Sequence, residues 1–182
     1  MPKNNAFESG ERKVIPAVLV YLRKDNQILM IHKKSDFHEG KWNGLGGKLE
    51  RDESPWEAAQ RELLEESGVD LPQSQFNLLG VLQFPNFKPH KCEDWMVYVF
   101  TAKLPGEDLQ KVNFSCPEGD LHWVPVDEVL SRNLWAGDLH FIPYVLEERP
   151  FAGTIWYSQQ DVTKWILQPL QCKAVMGHIC EV

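Results

Sequence analysis

The chain has 182 residues, of which 43% are hydrophobic, so it is long enough to bury the core of one domain. Its formal net charge of -7 argues against a large nucleic-acid footprint, because such a surface needs clustered basic residues. A polar N-terminus and short apolar runs argue against a signal peptide and against a membrane-spanning helix. We therefore expect a soluble protein with a single domain over residues 1–182, in which residues 1–12 form a loose lead-in.

The cysteines predict neither a zinc site nor a disulfide framework. Cys92, Cys116, Cys172 and Cys180 form no C-x-x-C pair and have no neighbouring histidine pattern. A chain of this size does not depend on disulfides for its stability, so we expect reduced thiols and a cytoplasmic location. Both a monomer and a homodimer are compatible with the sequence.

The first predicted element is a β-hairpin. Its strands are two apolar runs over 14–22 and 28–32, and polar residues at 24–26 form the turn between them. A charged loop that contains glycine follows over 35–42. It leads into the glycine-rich residues 44–47.

A helix is predicted over 55–67, because both of its ends carry strong signals. Ser54 can act as the N-cap, Pro55 takes the first helical position, and Glu57 completes a capping box. Gly68 stands where a C-cap glycine belongs. The helix therefore has well-defined ends.

The remaining elements complete a chain without an internal repeat or a low-complexity linker, as expected for one domain. Pro143 lies within one helical segment and is expected to limit it or to start it. In chain order the elements are a strand over 77–83, a strand over 95–102, a short strand from 122, a helix that opens at 126–130, a helical segment over 138–148, and a hairpin of 154–158 with 163–167.

Carboxylates cluster on one side of the helix over 55–67. Glu62 and Glu66 are one turn apart, and Glu65 lies beside them, so their like charges repel. A hard divalent cation with oxygen ligands converts this repulsion into binding. Mg²⁺ fits best, because proteins hold it by a few carboxylates and leave its other positions to water and substrate phosphates. The alternative is a solvated acidic helix face.

Glu53 and Arg61 are expected to form a structural ion pair. They are eight residues apart, so their contact requires the preceding loop to fold back onto the helix and locks it there. A solvated acidic face would not need Gly47, Glu53, Arg61 and Gly68 at fixed offsets. The pattern therefore favours a metal and pyrophosphate site.

The stretch from 47 to 69 resembles the signature of the Nudix hydrolases, G-x5-E-x7-R-E-U-x-E-E-x-G-U, in which U is aliphatic. The matching residues are Gly47, Glu53, Arg61, Glu62, Leu63, Glu65, Glu66, Gly68 and Val69. The resemblance implies an α/β fold, namely an α/β/α sandwich around a mixed β-sheet, and hydrolysis of a nucleoside diphosphate linked to another moiety. It also implies Mg²⁺, with Mn²⁺ as a substitute, held by Glu62, Glu65, Glu66 and the carbonyl of Gly47.

The same resemblance implies a metal-binding or general-base glutamate on a loop remote from the motif. Glu118 suits this role by its spacing to Trp123, and Asp120 is its nearby competitor. A surface acidic loop is the alternative explanation for both. Glu65, Glu66 and Glu118 remain the candidates that would accept a proton from the attacking water.

Residues outside the motif resemble those of the MutT-type 8-oxo-dGTP diphosphatases. That subfamily has an asparagine that contacts the purine, an upstream phenylalanine that lines the pocket and a downstream tryptophan that stacks on the base. Here the corresponding residues are Asn43, Phe37 and Trp135. An amide offers a donor and an acceptor to a purine edge, and an indole offers a stacking face. For Trp135 the alternative is an ordinary packed aromatic side chain.

The segment after Trp135 departs from the subfamily at one position. Its mammalian members have two adjacent aspartates there, whereas this chain has Gly137 and Asp138. Asp138 can still accept hydrogen bonds from a guanine-like N1 and exocyclic amine. Recognition of an oxidised purine by two differently protonated acids is left open.

The leading functional prediction is a Mg²⁺-dependent pyrophosphohydrolase that converts an oxidised purine nucleoside triphosphate, such as 8-oxo-dGTP, to the monophosphate and pyrophosphate. The expected partner is thus a small nucleotide, and neither a membrane nor a large nucleic acid. A nucleotide sugar, a dinucleoside polyphosphate or an RNA 5′-triphosphate is the alternative substrate. A Nudix-fold module that senses a nucleotide without hydrolysing it is a third hypothesis, which the intact carboxylate set disfavours.

Overall fold

The computed structural model describes residues 12–34, 40–104 and 112–170, and in them one mixed sheet with flanking helices. The strands are β1 (Lys13–Lys24), β2 (Gln27–Lys33), β3 (Trp42–Asn43), β4 (Asn77–Lys88), β5 (Glu93–Lys103), β6 (Ser115–Cys116), β7 (Gly119–Pro125), β8 (Phe151–Ser158) and β9 (Asp161–Pro169). The helices are α1 (Pro55–Ser67) and α2 (Asp138–Leu146), with short 3₁₀ helices at Gln73–Gln75, Pro89–Lys91 and Val126–Ser131.

The sheet has the order β6-β7-β2-β1-β5-β4-β8-β9, and β3 pairs with β2. The β1–β5 and β4–β8 pairs are parallel, and the other pairs are antiparallel. Alternate residues of β1 belong to different cores, because successive strand residues point to opposite faces. Ala58, Ala59 and Leu63 of α1 pack in one core, and Phe141, Ile142 and Val145 of α2 pack in the other. The expected mixed sheet between helical layers is confirmed.

Helix α1 has the predicted bounds, and its caps explain them. The Ser54 hydroxyl accepts a hydrogen bond from the Glu57 N–H (3.3 Å), and the Glu57 carboxylate accepts one from the Ser54 N–H (2.7 Å). Gly68 ends the helix in the left-handed conformation, with φ of 74°. These contacts fix where the helix that carries the acidic side chains begins and ends.

A glycine segment, residues 44–49, takes the place of β2 beside the first half of β1. The β1–β2 ladder covers residues 22–24 and 27–29, next to the hairpin turn. Earlier in β1, the Val18 N–H donates to the Gly47 carbonyl (2.8 Å) and the Val20 N–H donates to the Leu45 carbonyl (2.7 Å). Gly46 has φ of 141°, and a Cβ there would lie 2.2 Å from the Val18 carbonyl oxygen, so only glycine fits. This pairing holds the start of the motif against the sheet.

Two predicted elements were wrong in detail. Residues 126–131 form a 3₁₀ helix and not the start of an α-helix. The Arg132 N–H donates to the carbonyl three residues earlier, that of Val129 (3.2 Å), and the Ser131 hydroxyl donates to the Glu128 carbonyl (2.7 Å). These bonds are typical of the tighter helix and end it after residue 131. Pro143 lies inside α2 and neither starts nor ends it. The flanking residues Phe141, Ile142 and Val145 are fully buried, so packing outweighs the hydrogen bond that proline removes.

Some predicted features belong to residues that the structure does not describe. The lead-in over residues 1–11, Phe37, Cys172 and Cys180 lie outside the described residues. Cys92 and Cys116 are free thiols. Among the described helices, none has the length and apolar character that crossing a membrane requires.

Candidate active site

A cleft with a volume of about 720 Å³ brings the motif together with residues distant in sequence. Its charged lining consists of Lys33, Lys48, Glu50, Arg61, Glu62, Lys88 and Glu118. Its aromatic and polar lining includes Asn43, Phe84, Phe87, Trp95, Trp135, Asp138 and Tyr157. The cleft therefore joins cationic side chains that can bind phosphate, and carboxylates, to aromatic surfaces that suit a planar base.

Arg61 holds three glutamates and the loop in front of α1. Its guanidinium makes a bidentate pair with Glu53, through Nε to Oε1 at 2.8 Å and Nη2 to Oε2 at 3.0 Å. Nη1 donates to Glu62 (2.9 Å) and to Glu65 (3.2 Å), and Nη2 also donates to the Lys48 carbonyl (3.0 Å). The hydrogen bonds from Arg61 lower the pKa of Glu53. The loop is thus fastened to the helix by the residue pair that the spacing predicts.

Glu66 lies beneath the glycine segment and is 5% exposed. Its Oε2 accepts a hydrogen bond from the Gly46 N–H at 2.8 Å. Its Oε1 is buried without a hydrogen bond, and the Lys33 ammonium is 3.6 Å from it. Burial raises the pKa of Glu66 to about 7, although Lys33 and the Gly46 N–H oppose the shift.

Lys33 also binds the carboxylate of Glu118, so one ammonium group joins the two acids. Glu118 lines the cleft and has a side chain that is 58% exposed. Its charge contributes to the raised pKa of Glu62 and of Glu66, for which burial is the main cause. Asp120 instead binds Lys34 (2.6 Å). Of the two acidic candidates on this loop, Glu118 is therefore the one that faces the motif.

The carboxylates are held by cationic side chains. Within residues 12–34, 40–104 and 112–170, no three His, Cys, Asp or Glu side chains are gathered closely enough to hold a metal. A divalent cation that took Oε1 of Glu62 or Oε2 of Glu65 would compete with Arg61 for that oxygen. One that took Oε1 of Glu66 or Oε2 of Glu118 would compete with Lys33.

Other observations show that the residues suit such an ion. Glu66 keeps a buried oxygen without a hydrogen bond, and burial raises the pKa of Glu62 as well. A Cβ at position 47 would lie 2.3 Å from Oε1 of Glu62, so glycine alone lets the backbone lie against this carboxylate. Carboxylate and carbonyl oxygens are the ligands that Mg²⁺ prefers.

Three of the predicted base-binding residues, Asn43, Trp135 and Asp138, line the same cleft. Asn43 accepts a hydrogen bond from the Gly44 N–H through Oδ1 (2.9 Å), which leaves its amide nitrogen as a donor. The ammonium of Lys41 lies 5.2 Å from the ring centroid of Trp135. Asp138 is the first residue of α2 and is 6% exposed, and burial raises its pKa to about 7.

Four aromatic residues of the cleft escaped the sequence interpretation, namely Phe84, Phe87, Trp95 and Tyr157. Trp95 carried a usable signal, because it alternates with Val97 along β5 and both side chains line the cleft. The position of Tyr157 depends on the parallel pairing of β8 with β4, which no local pattern reveals.

The role of the ion pair between Glu53 and Arg61 can be tested by substitution. Replacing Glu53 with glutamine is expected to lower the free energy of unfolding by about 1–2 kcal/mol, because one charge of a bidentate pair with Arg61 is lost. Urea unfolding measures the change. Asp52→Asn is the matched control, since the Asp52 side chain is 91% exposed, and it should shift stability by less than about 0.5 kcal/mol. Equal losses in both variants would contradict the role assigned to Glu53.

The chain is similar to known proteins in sequence and in fold. Residues 13–145 match the family model of the NUDIX domain. The chain is 31% identical to the oxidized purine nucleoside triphosphate hydrolase of Danio rerio, over 79% of this chain and 87% of that protein. It is 29% identical to the Mus musculus protein of the same name, over 79% of this chain and 86% of that protein. Its structure is similar to that of a MutT protein from Bacillus halodurans, with a TM-score of 0.72, 29% identity, and coverage of 84% of this chain and 97% of that one.

Proposed function

Because the chain belongs to the Nudix hydrolase family, we propose that it hydrolyses oxidised purine nucleoside triphosphates such as 8-oxo-dGTP. The products would be the nucleoside monophosphate and pyrophosphate. Membership makes the chain a nucleotide pyrophosphohydrolase, and the choice of substrate is the proposal. The observation that carries it is the single cleft in which Glu62 and Glu118 meet Asn43, Trp135 and Asp138.

The whole chain would act as one domain with a small nucleotide as its partner. The family match ends at residue 145, but β8 continues the same sheet by pairing with β4. Through this pairing, Tyr157 of β8 reaches the cleft wall. The segment after the match therefore supplies part of the proposed site.

Members of the family generally use a divalent metal, and we propose Mg²⁺ for this chain. The residues that would hold it are Glu62, Glu65, Glu66 and Glu118, with the carbonyl of Gly47. When bound, Mg²⁺ supplies positive charge to the pyrophosphate oxygens and acidifies water.

The protein's own charges would position the phosphates and accept the proton. Lys33 and Lys48 line the cleft and are the cations that would contact phosphate oxygens. Glu118 both lines the cleft and is exposed to water, whereas Glu66 is buried and bound to the Gly46 N–H. These features favour Glu118 as the acceptor of the proton released when water attacks the phosphorus.

A substrate panel tests the proposal most directly. We expect kcat/KM for 8-oxo-dGTP to exceed that for dGTP by about tenfold or more, with Mg²⁺ present. The panel should include a nucleotide sugar, a dinucleoside polyphosphate and a triphosphorylated RNA. A ratio near one for 8-oxo-dGTP over dGTP, or a higher kcat/KM for one of the other classes, would overturn the proposed substrate.

Removing the stacking surface should weaken substrate binding more than turnover. Replacing Trp135 with alanine is expected to raise KM by about 10- to 100-fold, because base stacking on an aromatic ring contributes about 1–3 kcal/mol. The Mg²⁺ concentration for half-maximal rate should stay the same. Trp165→Ala is the matched control, since Trp165 lies on β9 and is 50% exposed, and its KM should not change. A larger fall in kcat than rise in KM for the Trp135 variant would contradict the assignment.

A further inference from the structure

The phenol of Tyr157 occupies the space that a side chain at position 137, just before Asp138, would take. Tyr157 accepts a hydrogen bond from the Gly137 N–H through its hydroxyl oxygen, at 2.9 Å. A Cβ at position 137 would lie 2.0 Å from this oxygen and 2.9 Å from Cζ of the same ring. An aspartate at 137, as in the mammalian members of the subfamily, would therefore collide with Tyr157. The tyrosine hydroxyl occupies the place where a first acid would begin.

The carboxyl of Asp138 belongs to the residue after Gly137 and lines the same cleft as this hydroxyl. Its Oδ2 is buried and makes no hydrogen bond. Burial raises the pKa of Tyr157, and the nearby charge of Asp138 raises it further. Both side chains line the cleft. Tyr157 is thus a neutral phenol placed beside a carboxyl that has a free oxygen.

The hydrogen bond from Gly137 decides what Tyr157 can offer. A phenol has one proton and accepts best from the side opposite to it. The Gly137 N–H uses the accepting side, so the remaining hydrogen-bonding function of the hydroxyl is its proton. Asp138, when ionised, can only accept. The cleft therefore presents a donor next to an acceptor.

We propose that Tyr157 and Asp138 form a donor–acceptor pair that recognises the N1–C6 edge of 6-oxopurines and rejects 6-aminopurines. A 6-oxopurine presents an acceptor, O6, beside a donor, N1–H. A 6-aminopurine presents the reverse order, an amino donor beside the N1 acceptor. Since a mismatched buried polar group loses its partner, the reversed edge is disfavoured. This inference rests on the proposed function and narrows its substrate class to guanine-type bases.

The test uses dITP and dATP, which differ only at this edge. In the wild type, kcat/KM for dITP should exceed that for dATP by about 100-fold, as expected for two mismatched hydrogen bonds. Tyr157→Phe removes the hydroxyl and keeps the ring. It should lower kcat/KM for dITP by about tenfold and change that for dATP by less than about twofold.

The control is Tyr144→Phe. Tyr144 packs on Phe151, at a ring-centroid distance of 5.2 Å, and on Arg149, and it is not among the residues lining the cleft. Its substitution should leave the ratio of dITP to dATP unchanged. Thermal unfolding of both variants would show that the fold persists.

Gly137→Ala provides a second route to the same hydroxyl. Its methyl group must displace the phenol, so it should lower kcat/KM for dITP to a similar degree. In the Tyr157→Phe background the same change should have a smaller effect, because the group that it displaces is already gone. Calorimetric affinities for dIMP and dAMP, measured without metal, should follow the same pattern and report recognition separately from turnover.

The outcomes separate this inference from the proposed function. A folded Tyr157→Phe variant with the wild-type ratio of dITP to dATP would overturn the pair, whatever the preference for 8-oxo-dGTP. A ratio near one for 8-oxo-dGTP over dGTP, together with a collapse of the dITP preference in the variant, would overturn the proposed substrate and sustain the pair. Absence of both purine triphosphate hydrolysis and dIMP binding in the wild type would overturn both.

Discussion

Replacing Glu66 with glutamine is expected to lower kcat by about a thousandfold or more, while the fold persists. In its proposed role as a metal ligand, Glu66 contributes several kcal/mol of transition-state stabilisation, and each 1.36 kcal/mol is about a tenfold change in rate. The amide has the same shape and can still accept the hydrogen bond from the Gly46 N–H. Removing a charge that burial disfavours should not destabilise the protein at neutral pH.

The measurement is pyrophosphate release at saturating 8-oxo-dGTP and Mg²⁺, with circular dichroism to follow the fold. Glu57→Gln is the matched control, because Glu57 lies on the same helix and glutamine also completes a capping box. Its kcat should stay within about twofold of wild type. Glu65→Gln should also lower kcat strongly. Near-normal turnover in both the Glu65 and the Glu66 variants would remove the basis for the metal assignment.

The sequence predicts α1 and its carboxylates well, because the signals that define them are local. Ser54, Glu57 and Gly68 act within one or two turns of the residues that they cap, so their effect does not depend on the rest of the fold. The contact between Glu53 and Arg61 is also short in sequence, and it needs only the preceding loop to fold back onto the helix. Pro143 misled the prediction because burial of its neighbours, a tertiary effect, decides where α2 begins and ends.

The rest of the site depends on pairings that are distant in sequence. Lys33 reaches Glu118 because β2 lies beside β7, and Tyr157 reaches the cleft because β8 lies beside β4. No periodicity in a single segment encodes such neighbours. The sequence likewise does not reveal which cationic side chains neutralise the acidic cluster, because those contacts depend on the folded structure.

The proposed role of Asp138 in binding conflicts with its contribution to stability. A carboxyl with a buried oxygen that lacks a hydrogen bond is unfavourable when it is ionised, and burial accordingly raises its pKa to about 7. A purine with N1–H would supply the missing donor. In the proposed function, the substrate would thus supply the partner of an acid that burial makes unfavourable, as in sites that select by hydrogen bonding.

Replacing Asp138 with asparagine is therefore expected to change the free energy of unfolding of the nucleotide-free protein differently at two pH values. Relative to the wild type, the variant should be more stable at pH 8 than at pH 5. The folded pKa of about 7 lies above the ordinary value of 3.8, so the wild type loses stability as the pH rises from about 4 to about 7. Between pH 5 and pH 8 the difference in free energy of unfolding between the variant and the wild type should shift by about 2–3 kcal/mol in favour of the variant, since each pKa unit corresponds to about 1.4 kcal/mol. Glu66 and Glu62 titrate in both proteins and cancel in the difference.

Urea unfolding at the two pH values, without nucleotide or metal, measures this gain. Asp161→Asn is the control, because Asp161 is exposed at the start of β9, and its stability difference from wild type should not depend on pH. The stabilised Asp138 variant should at the same time bind dIMP more weakly, because an amide that presents its NH₂ group to N1–H is a mismatched donor. A stability difference that is the same at pH 5 and pH 8 would show that Asp138 does not carry the raised pKa. An unchanged dIMP affinity would show that Asp138 takes no part in base recognition, even if its pKa is raised.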